Sequence, residues 1–236
     1  MPLGFHHLVR PPAAVGEGRP PLLLLLHGVG SHERDLMSLA SKLDPRFMTL
    51  SLRAPFPIGP GSFAWFEVEL SPIAPVIRPE QAEVSRTRLA EFIPAAIAAY
   101  QADGSRVYLL GFSQGAIMSL ALALTRPDMI AGVAAISGRT LPELFQDAGP
   151  LGGKLAPRSA LDGLPILVLH GTEDRVLPVA FARETRRLLE SLPVELAYEE
   201  LPMGHTVGPE ALDKTALWIT RQLDREPTRI ARAGPV

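Results

Sequence analysis

Short, continuously apolar runs alternate along the chain with longer segments of mixed polarity. Runs without apolar–polar alternation are typical of parallel strands that are covered on both faces. They predict six strands, at residues 22–26, 47–52, 107–110, 130–136, 166–169 and 194–200. The segments between them predict five helices, at residues 34–42, 79–100, 114–125, 178–192 and 209–223. Pro94 lies inside the second of these helices and should kink or interrupt it.

This alternation predicts an α/β fold, a mostly parallel central sheet with helices on both faces. No repeat, low-complexity tract or long linker divides the chain, so we expect a single domain over residues 1–236. The segment from about residue 224 has few large apolar side chains, and we expect a flexible tail there.

Composition narrows the possible partners and chemistry. The 236 residues carry a formal net charge of −2 without a basic patch, which argues against nucleic acid or an anionic membrane as a partner. The absence of cysteine excludes disulfides, thiol catalysis and cysteine-ligated metals. The apolar run 22–26 is far shorter than the roughly 20 residues of a membrane span. The first twenty residues lack the apolar stretch of a secretory signal, so we expect a cytoplasmic protein.

The sequence GFSQGA, at residues 111–116, joins a predicted strand to a predicted helix. This setting is the one that a G-x-S-x-G nucleophile turn requires, with Ser113 on a strained backbone. Gly111 and Gly115 would let the strand and the helix approach closely, and the helix N-terminus would favour an oxyanion. The alternative is an ordinary connection in which Ser113 only caps the helix.

A serine hydroxyl needs a general base, and two histidines follow Ser113 in the sequence. His205 lies in a loop after the last predicted strand, at the same edge of the sheet as Ser113, and is the predicted base. His170 ends a strand before a glycine, and we expect it to shape the turn. His27 is expected to be a hydrogen-bonded structural residue, and no spacing of histidines and carboxylates predicts a metal site.

Asp174 is the predicted acid that orients the base. It lies in the loop HGTEDRVLP after a strand, which is the position that a Ser–acid–His order requires. Glu173 is the neighbouring alternative. An oxyanion hole needs two N–H donors, and the sequence offers the backbone of Gln114 and, from the loop HGVG, that of Val29. HGVG is alternatively a tight strand-to-helix connection.

Five segments, LHGVGS, RAPFPIGPGSFAWFEV, GFSQGA, HGTEDRVLP and PMGHTV, together resemble the phospholipase/carboxylesterase family of small α/β-hydrolases. The resemblance covers roughly residues 20–223. The family includes bacterial carboxylesterases and acyl-protein thioesterases. It implies an α/β-hydrolase fold without a large cap domain, no cofactor, and Ser113, Asp174 and His205 as the catalytic residues. It also implies Val29 and Gln114 as oxyanion donors.

The same resemblance implies that Trp65 and Phe63 line the substrate site. Phe66 is expected to pack in the core. Arg53 is expected to anchor a loop. The expected function is that of a carboxylesterase acting on short- to medium-chain acyl esters, as a monomer or a homodimer. An acyl-thioesterase or a lysophospholipase would use the same site. The alternative from another class is a binding protein that has kept the fold without the chemistry.

Overall fold

The computed structural model describes residues 3–14, 18–69 and 76–225, and the predicted flexible tail lies almost entirely outside these ranges. The strands are β1 (His7–Arg10), β2 (Pro21–Leu26), β3 (Met48–Leu52), β4 (Phe56–Gly59), β5 (Ser62–Ala64), β6 (Val68–Glu69), β7 (Val76–Ile77), β8 (Asp103–Phe112), β9 (Gly132–Ile136), β10 (Pro165–Gly171) and β11 (Glu195–Leu201). The α-helices are α1 (Arg34–Met37), α2 (Pro79–Tyr100), α3 (Gln114–Thr125), α4 (Val179–Glu190) and α5 (Pro209–Asp224). Short 3₁₀ helices lie at Ala40–Lys42, Pro127–Met129, Pro142–Phe145 and Arg158–Ala160.

Seven strands form one sheet in the order β1-β3-β2-β8-β9-β10-β11. Every neighbouring pair is parallel except β1 with β3 at one edge. All six predicted strands are confirmed, and so is the mostly parallel sheet. Strand β1 was not predicted, because HLVR is a short edge strand without a continuous apolar run. The pairs β4–β5 and β6–β7 are separate hairpins.

Two apolar layers lie on opposite faces of the sheet. Along β2 the leucines alternate, with Leu22, Leu24 and Leu26 in one layer and Leu23 and Leu25 in the other. The first layer is shared with α2, α3 and α4, and the second with α1 and α5. The predicted covering of both faces is therefore confirmed. Among the described residues, the connections contain hairpins and 3₁₀ turns, and none forms a large cap domain.

Two helix predictions need correction. The segment predicted as one helix over residues 34–42 divides into α1 and a 3₁₀ turn at Ala40–Lys42. Helix α2 runs through Pro94 without the predicted interruption, while a kink at this residue stays a prediction. Pro94 is on the exposed side of the helix, where a carbonyl group that loses its N–H partner can bond to water.

The turn between β8 and α3 depends on two glycines. A Cβ atom on Gly111 would lie 2.4 Å from the carbonyl oxygen of Gly115, and one on Gly115 would lie 1.9 Å from that of Leu26. Real Cβ atoms do not come so near to backbone atoms. The two glycines therefore allow α3 to begin directly against the sheet.

Gly111→Ala is expected to destabilise the fold by about 3 kcal/mol or more, because backbone atoms of α3 would have to move. Gly104→Ala in the same strand is the matched control. Its Cβ would lie 3.4 Å from the side chain of Ile97, which is an ordinary contact. Urea unfolding of both variants tests this, and equal loss of stability would show that the close approach at Gly111 is unimportant.

No helix within the described ranges is long and apolar enough to cross a membrane.

Candidate active site

Ser113 occupies the turn between β8 and α3 with an unusual backbone conformation, φ 53° and ψ −118°. A positive φ in a residue other than glycine is strained and persists only where the surroundings impose it. Here the Ser113 N–H donates to the carbonyl oxygen of Ile136 in the neighbouring strand, at 2.9 Å. The hydroxyl group is thus held at the carboxyl edge of the sheet, as the sequence predicts for a nucleophile turn.

His205 is within hydrogen-bond distance of both predicted partners. Its Nε2 is 2.9 Å from Ser113 Oγ, and its Nδ1 is 2.7 Å from Asp174 Oδ2. With the proton on Nδ1, the imidazole donates to the carboxylate and accepts the serine hydroxyl proton. The imidazole packs against the ring of Phe112 with a centroid distance of 5.0 Å. The three residues therefore form one chain of hydrogen bonds.

The loop between β10 and α4 holds Asp174 firmly. Its side chain is buried, and Oδ1 accepts hydrogen bonds from the N–H groups of Val176 at 2.9 Å and Leu177 at 2.8 Å. His170 Nε2 donates to the carbonyl oxygen of Leu177 at 2.7 Å, which closes the loop from the other side. His170 is fully buried, and the prediction that it shapes this turn is confirmed.

Glu173, the alternative acid, is exposed. Its carboxylate makes no hydrogen bond or ion pair to any described residue, while its backbone N–H donates to the carbonyl oxygen of Met203 at 3.1 Å. Of the two neighbouring acids, the structure brings Asp174 and not Glu173 to His205.

The loop that carries Val29 passes directly beside the serine turn. A Cβ atom on Gly28 would be 3.3 Å from the Cβ of Ser113, so any larger residue would crowd the turn. The loop is tied to β5, since Gly30 N–H donates to the carbonyl oxygen of Phe63 at 2.9 Å and Phe63 N–H donates to that of Ser31 at 3.0 Å. The N–H groups of Val29 and Gln114 have no partner among the described residues. Their role as oxyanion donors stays a prediction that this arrangement suits.

The side chain of Gln114, which the sequence left without a role, links the serine turn to the segment after β5. Its Oε1 accepts from the N–H of Trp65 at 2.7 Å, and its Nε2 donates to the carbonyl oxygen of Phe66 at 2.6 Å. Gln114 therefore holds a neighbouring loop by two buried hydrogen bonds. Its backbone N–H is at the same time a predicted oxyanion donor. A polar residue at the first turn of an otherwise apolar helix is the sequence signal that points to it.

The prediction that Trp65 lines the substrate site is wrong for this structure. Trp65 has no solvent-exposed surface, and its indole N–H donates to the carbonyl oxygen of His27 at 2.9 Å. It therefore supports the Val29 loop from the core side and presents no surface to a ligand. Phe66 is also buried, which confirms its expected place in the core. Phe63 is only partly buried, and its contact with substrate stays a prediction.

His27 is a structural residue, as the sequence predicts. Its Nδ1 donates to the carbonyl oxygen of Gly28 at 2.7 Å, and its Nε2 accepts from the N–H of Ala54 at 3.0 Å. Burial lowers the pKa of its imidazole, which keeps the ring neutral in this tautomer. Among the described residues, no group of three or more histidine and carboxylate side chains could hold a metal ion.

A partly buried ion pair anchors the Val29 loop at its far end. Arg53 Nε and Nη2 each donate to one oxygen of Glu33 at 2.7 Å, and the guanidinium lies 4.6 Å from the centroid of the Phe63 ring. These hydrogen bonds hold the pKa of Glu33 well below its ordinary 4.5, at about 2. The expected loop-anchoring role of Arg53 is confirmed, and its partner Glu33 was not found from the sequence.

Glu33→Gln is expected to lower the free energy of unfolding by about 2 kcal/mol at pH 7, because Arg53 loses a charged partner. The pKa of Glu33 is depressed in the folded state, so its contribution is complete above its ordinary pKa near 4.5. It declines as the pH falls towards about 2, where wild type and variant converge. Urea titrations at several pH values between about 3 and 7 measure the difference in the free energy of unfolding between wild type and Glu33→Gln.

Glu190→Gln serves as the control for this change. Glu190 is paired with Arg186, but both side chains are 52% exposed, so water screens the pair and its removal is expected to have a much smaller effect than that of Glu33. A difference between wild type and Glu33→Gln that stays constant down to the acid limit would contradict the assignment to Glu33.

The serine, histidine and aspartate lie at the carboxyl edge of a mostly parallel sheet with helices on both faces, which is the architecture of the α/β-hydrolases. Over residues 14–222 the chain matches the family model of the phospholipase/carboxylesterases, and it belongs to that family. The resemblance noted in the sequence is thereby confirmed, and the family is one of carboxylic ester hydrolases.

Individual relatives agree with this assignment. The chain is 32% identical over 120 residues to acyl-protein thioesterase 1 of Gibberella zeae, which covers 50% of this chain and 48% of that protein. It therefore spans about half the length of that relative. It is 26% identical over 227 residues to a probable carboxylesterase of Oryza sativa subsp. japonica, covering 90% and 92% of the two chains. The crystal structure of the Bacillus cereus carboxylesterase superposes with a TM-score of 0.75 at 24% identity, over 92% of this chain and 94% of that one, and it supports the fold.

Proposed function

We propose that this protein is a serine carboxylesterase that hydrolyses short- to medium-chain acyl esters through Ser113, His205 and Asp174. The observation that carries the proposal is the continuous chain of hydrogen bonds from Asp174 through His205 to Ser113, with distances of 2.7 and 2.9 Å. It ends on a serine whose backbone is strained, and such strain is concentrated at functional sites.

In the proposed first half of the reaction, Ser113 Oγ attacks the ester carbonyl carbon while His205 Nε2 takes the hydroxyl proton. The carbonyl oxygen gains a negative charge, which the N–H groups of Val29 and Gln114 stabilise in this proposal. The bond to the leaving oxygen then breaks, and His205 returns the proton to the departing alcohol. The acyl group remains on Ser113 as an ester.

In the second half, His205 takes a proton from water, whose oxygen attacks the acyl carbon. Collapse of this intermediate breaks the bond between the acyl carbon and Ser113 Oγ, His205 returns the proton to Oγ, and the carboxylic acid is released. Asp174 stays ionised and accepts a hydrogen bond from Nδ1–H throughout, which fixes the tautomer and stabilises the imidazolium that forms in each half. Two backbone N–H groups donate to Oδ1 of Asp174 and His205 Nδ1 donates to Oδ2, so the carboxylate is held in place for this role.

A thioester is the second candidate substrate class, and one observation favours it. The relative with 32% identity over half of the chain is named an acyl-protein thioesterase. The chemistry at Ser113 would be unchanged, since only the leaving atom differs. A lysophospholipid ester is the remaining candidate within the same family.

A fluorophosphonate probe tests the proposed nucleophile. Its phosphorus is attacked by an activated serine, fluoride departs, and a stable adduct forms. We expect one adduct on the folded protein, located at Ser113 by peptide mass spectrometry, and none after heat denaturation. A folded protein that forms no adduct would contradict the proposal and favour the non-catalytic binding protein.

A series of 4-nitrophenyl esters with lengthening acyl chains tests the proposed substrate range. Matched oxygen ester and thioester pairs of the same acyl group should be run beside it, with a lysophospholipid as a further substrate. A maximum of kcat/KM among the short and medium oxygen esters is the expected result. A large preference for the thioester of each pair would instead support the thioesterase.

A further inference from the structure

The connection after β9 contains a charged side chain that lacks a charged partner. Arg139 is partly buried, and among the described residues its hydrogen bonding is limited to one donation from Nη1 to the carbonyl oxygen of Thr140, at 3.3 Å. Burial lowers the pKa of this guanidinium, whereas the bonded Glu33 raises the pKa of Arg53. A cation in such a place costs free energy unless it meets an anion.

The position of Arg139 relates it to the active site. Strand β9 lies between β8, which leads to Ser113, and β10, which leads to Asp174. A Cβ atom on Gly138 would be 3.2 Å from the carbonyl oxygen of Ser113, so the connection touches the serine turn one residue before Arg139. The Arg139 guanidinium itself lies 5.7 Å from the centroid of the ring of Phe181, a residue in the first turn of α4.

Two further polar groups in this connection lack partners. Ser137 Oγ and Glu143 Oε2 are buried without a hydrogen bond to any described residue. The Glu143 carboxylate partly offsets the effect of burial on Arg139, but it does not come within ion-pair distance. Most N–H donors of Arg139 therefore remain available to a ligand. An anionic ligand would compete with the nearby Glu143 carboxylate for the charge of Arg139.

We propose that Arg139 binds an anionic group, a carboxylate or a phosphate, of the ester that reacts at Ser113. A guanidinium presents paired N–H donors that match the two oxygens of either group. The inference rests on the proposed esterase function and narrows its substrates to esters that carry a negative charge. The charge belongs either to the acyl side, as in a hemiester of a dicarboxylic acid, or to the alcohol side, as in an acylated glycerol phosphate.

Two pairs of substrates distinguish these sources. The acyl-side pair is the 4-nitrophenyl hemiester of glutaric acid and its methyl-capped neutral counterpart. The alcohol-side pair is 1-butyrylglycerol 3-phosphate and 1-butyrylglycerol. For each pair the measured quantity is the ratio of kcat/KM for the anionic ester to that for the neutral ester, so a general loss of activity cancels.

Arg139→Gln is expected to lower the ratio for the recognised pair by about 10- to 100-fold, while kcat/KM for the neutral ester stays within about threefold. Arg139→Lys, which keeps the charge, should retain part of the preference. Glu143→Gln should raise the same ratio, because it removes the competing carboxylate. Arg34→Gln, which removes an equal charge from the exposed start of α1, is the matched control and should leave both ratios unchanged.

Arg139 could instead have a purely structural role as the electrostatic partner of Glu143. Arg139→Gln and Glu143→Gln would then shift the melting temperature alike. Both would leave the kcat/KM ratios of the two substrate pairs unchanged. Unaltered ratios in both pairs overturn the inference. Absence of turnover of all four esters, anionic and neutral, by wild type overturns the proposed function instead. In that event, calorimetric binding of monomethyl glutarate and of inorganic phosphate to wild type and to Arg139→Gln decides the inference, and equal binding by the two proteins refutes it.

Discussion

Replacing Ser113 with alanine is expected to lower kcat for a 4-nitrophenyl ester by about a millionfold, with the fold unchanged. The variant keeps the loop geometry but has no oxygen to attack the carbonyl carbon, so both the burst of released nitrophenol and the steady turnover should disappear. Stopped-flow absorbance measures the burst, and circular dichroism with a melting curve verifies the fold.

Ser137→Ala is the matched control for this variant. Ser137 also has a positive φ, at 50°, directly after the neighbouring strand β9. Its Oγ is buried and makes no hydrogen bond to any described residue, so loss of its hydroxyl group should leave kcat within a few fold. Near-wild-type turnover by Ser113→Ala would mean that another residue is the nucleophile.

Asp174→Asn should reduce kcat by about ten-thousandfold while KM changes little. The asparagine amide group would donate to His205 Nδ1 and thereby favour the tautomer with the proton on Nε2. That nitrogen, 2.9 Å from Ser113 Oγ, could then no longer accept the hydroxyl proton. Steady-state kinetics across the pH range in which the protein is folded give both constants.

Glu173→Gln is the control, because it makes the equivalent change one residue away on an exposed side chain. We expect it to retain near-wild-type kcat. If Glu173→Gln lost activity and Asp174→Asn kept it, the acid would be Glu173, and the hydrogen bond between Asp174 and His205 would be only structural.

Features with a local signal were predictable from the sequence. The six parallel strands are continuous apolar runs, and the serine turn combines two glycines with a strand before it and a helix after it. The meeting of Ser113, Asp174 and His205 follows from topology, since the loops after parallel strands emerge at one edge of the sheet. Chain order then leaves few candidates for the base and the acid.

Features that depend on distant neighbours were not predictable in this way. The burial of Trp65 is decided by Phe5 and His27, which contact its ring from other parts of the chain. The Glu33–Arg53 pair joins residues 20 positions apart, and the Gln114 side chain reaches across 48 and 49 positions. Pro94 was predicted to disturb α2 by a local rule, yet its outcome depends on the side of the helix that faces water.

The 92 positions that separate Ser113 from His205 have a consequence for the protein during its synthesis. The ribosome completes the serine turn, β8 and β9 while β10, β11 and the loop with His205 are still unmade. The chain emerges from its N-terminal side, and a domain folds as a unit. A nascent chain therefore carries a serine that lacks both its base and its acid, and in the proposed mechanism such a serine is a poor nucleophile. The proposed reactive centre forms only after the ribosome has passed His205, so shorter nascent chains would be kept from attacking esters.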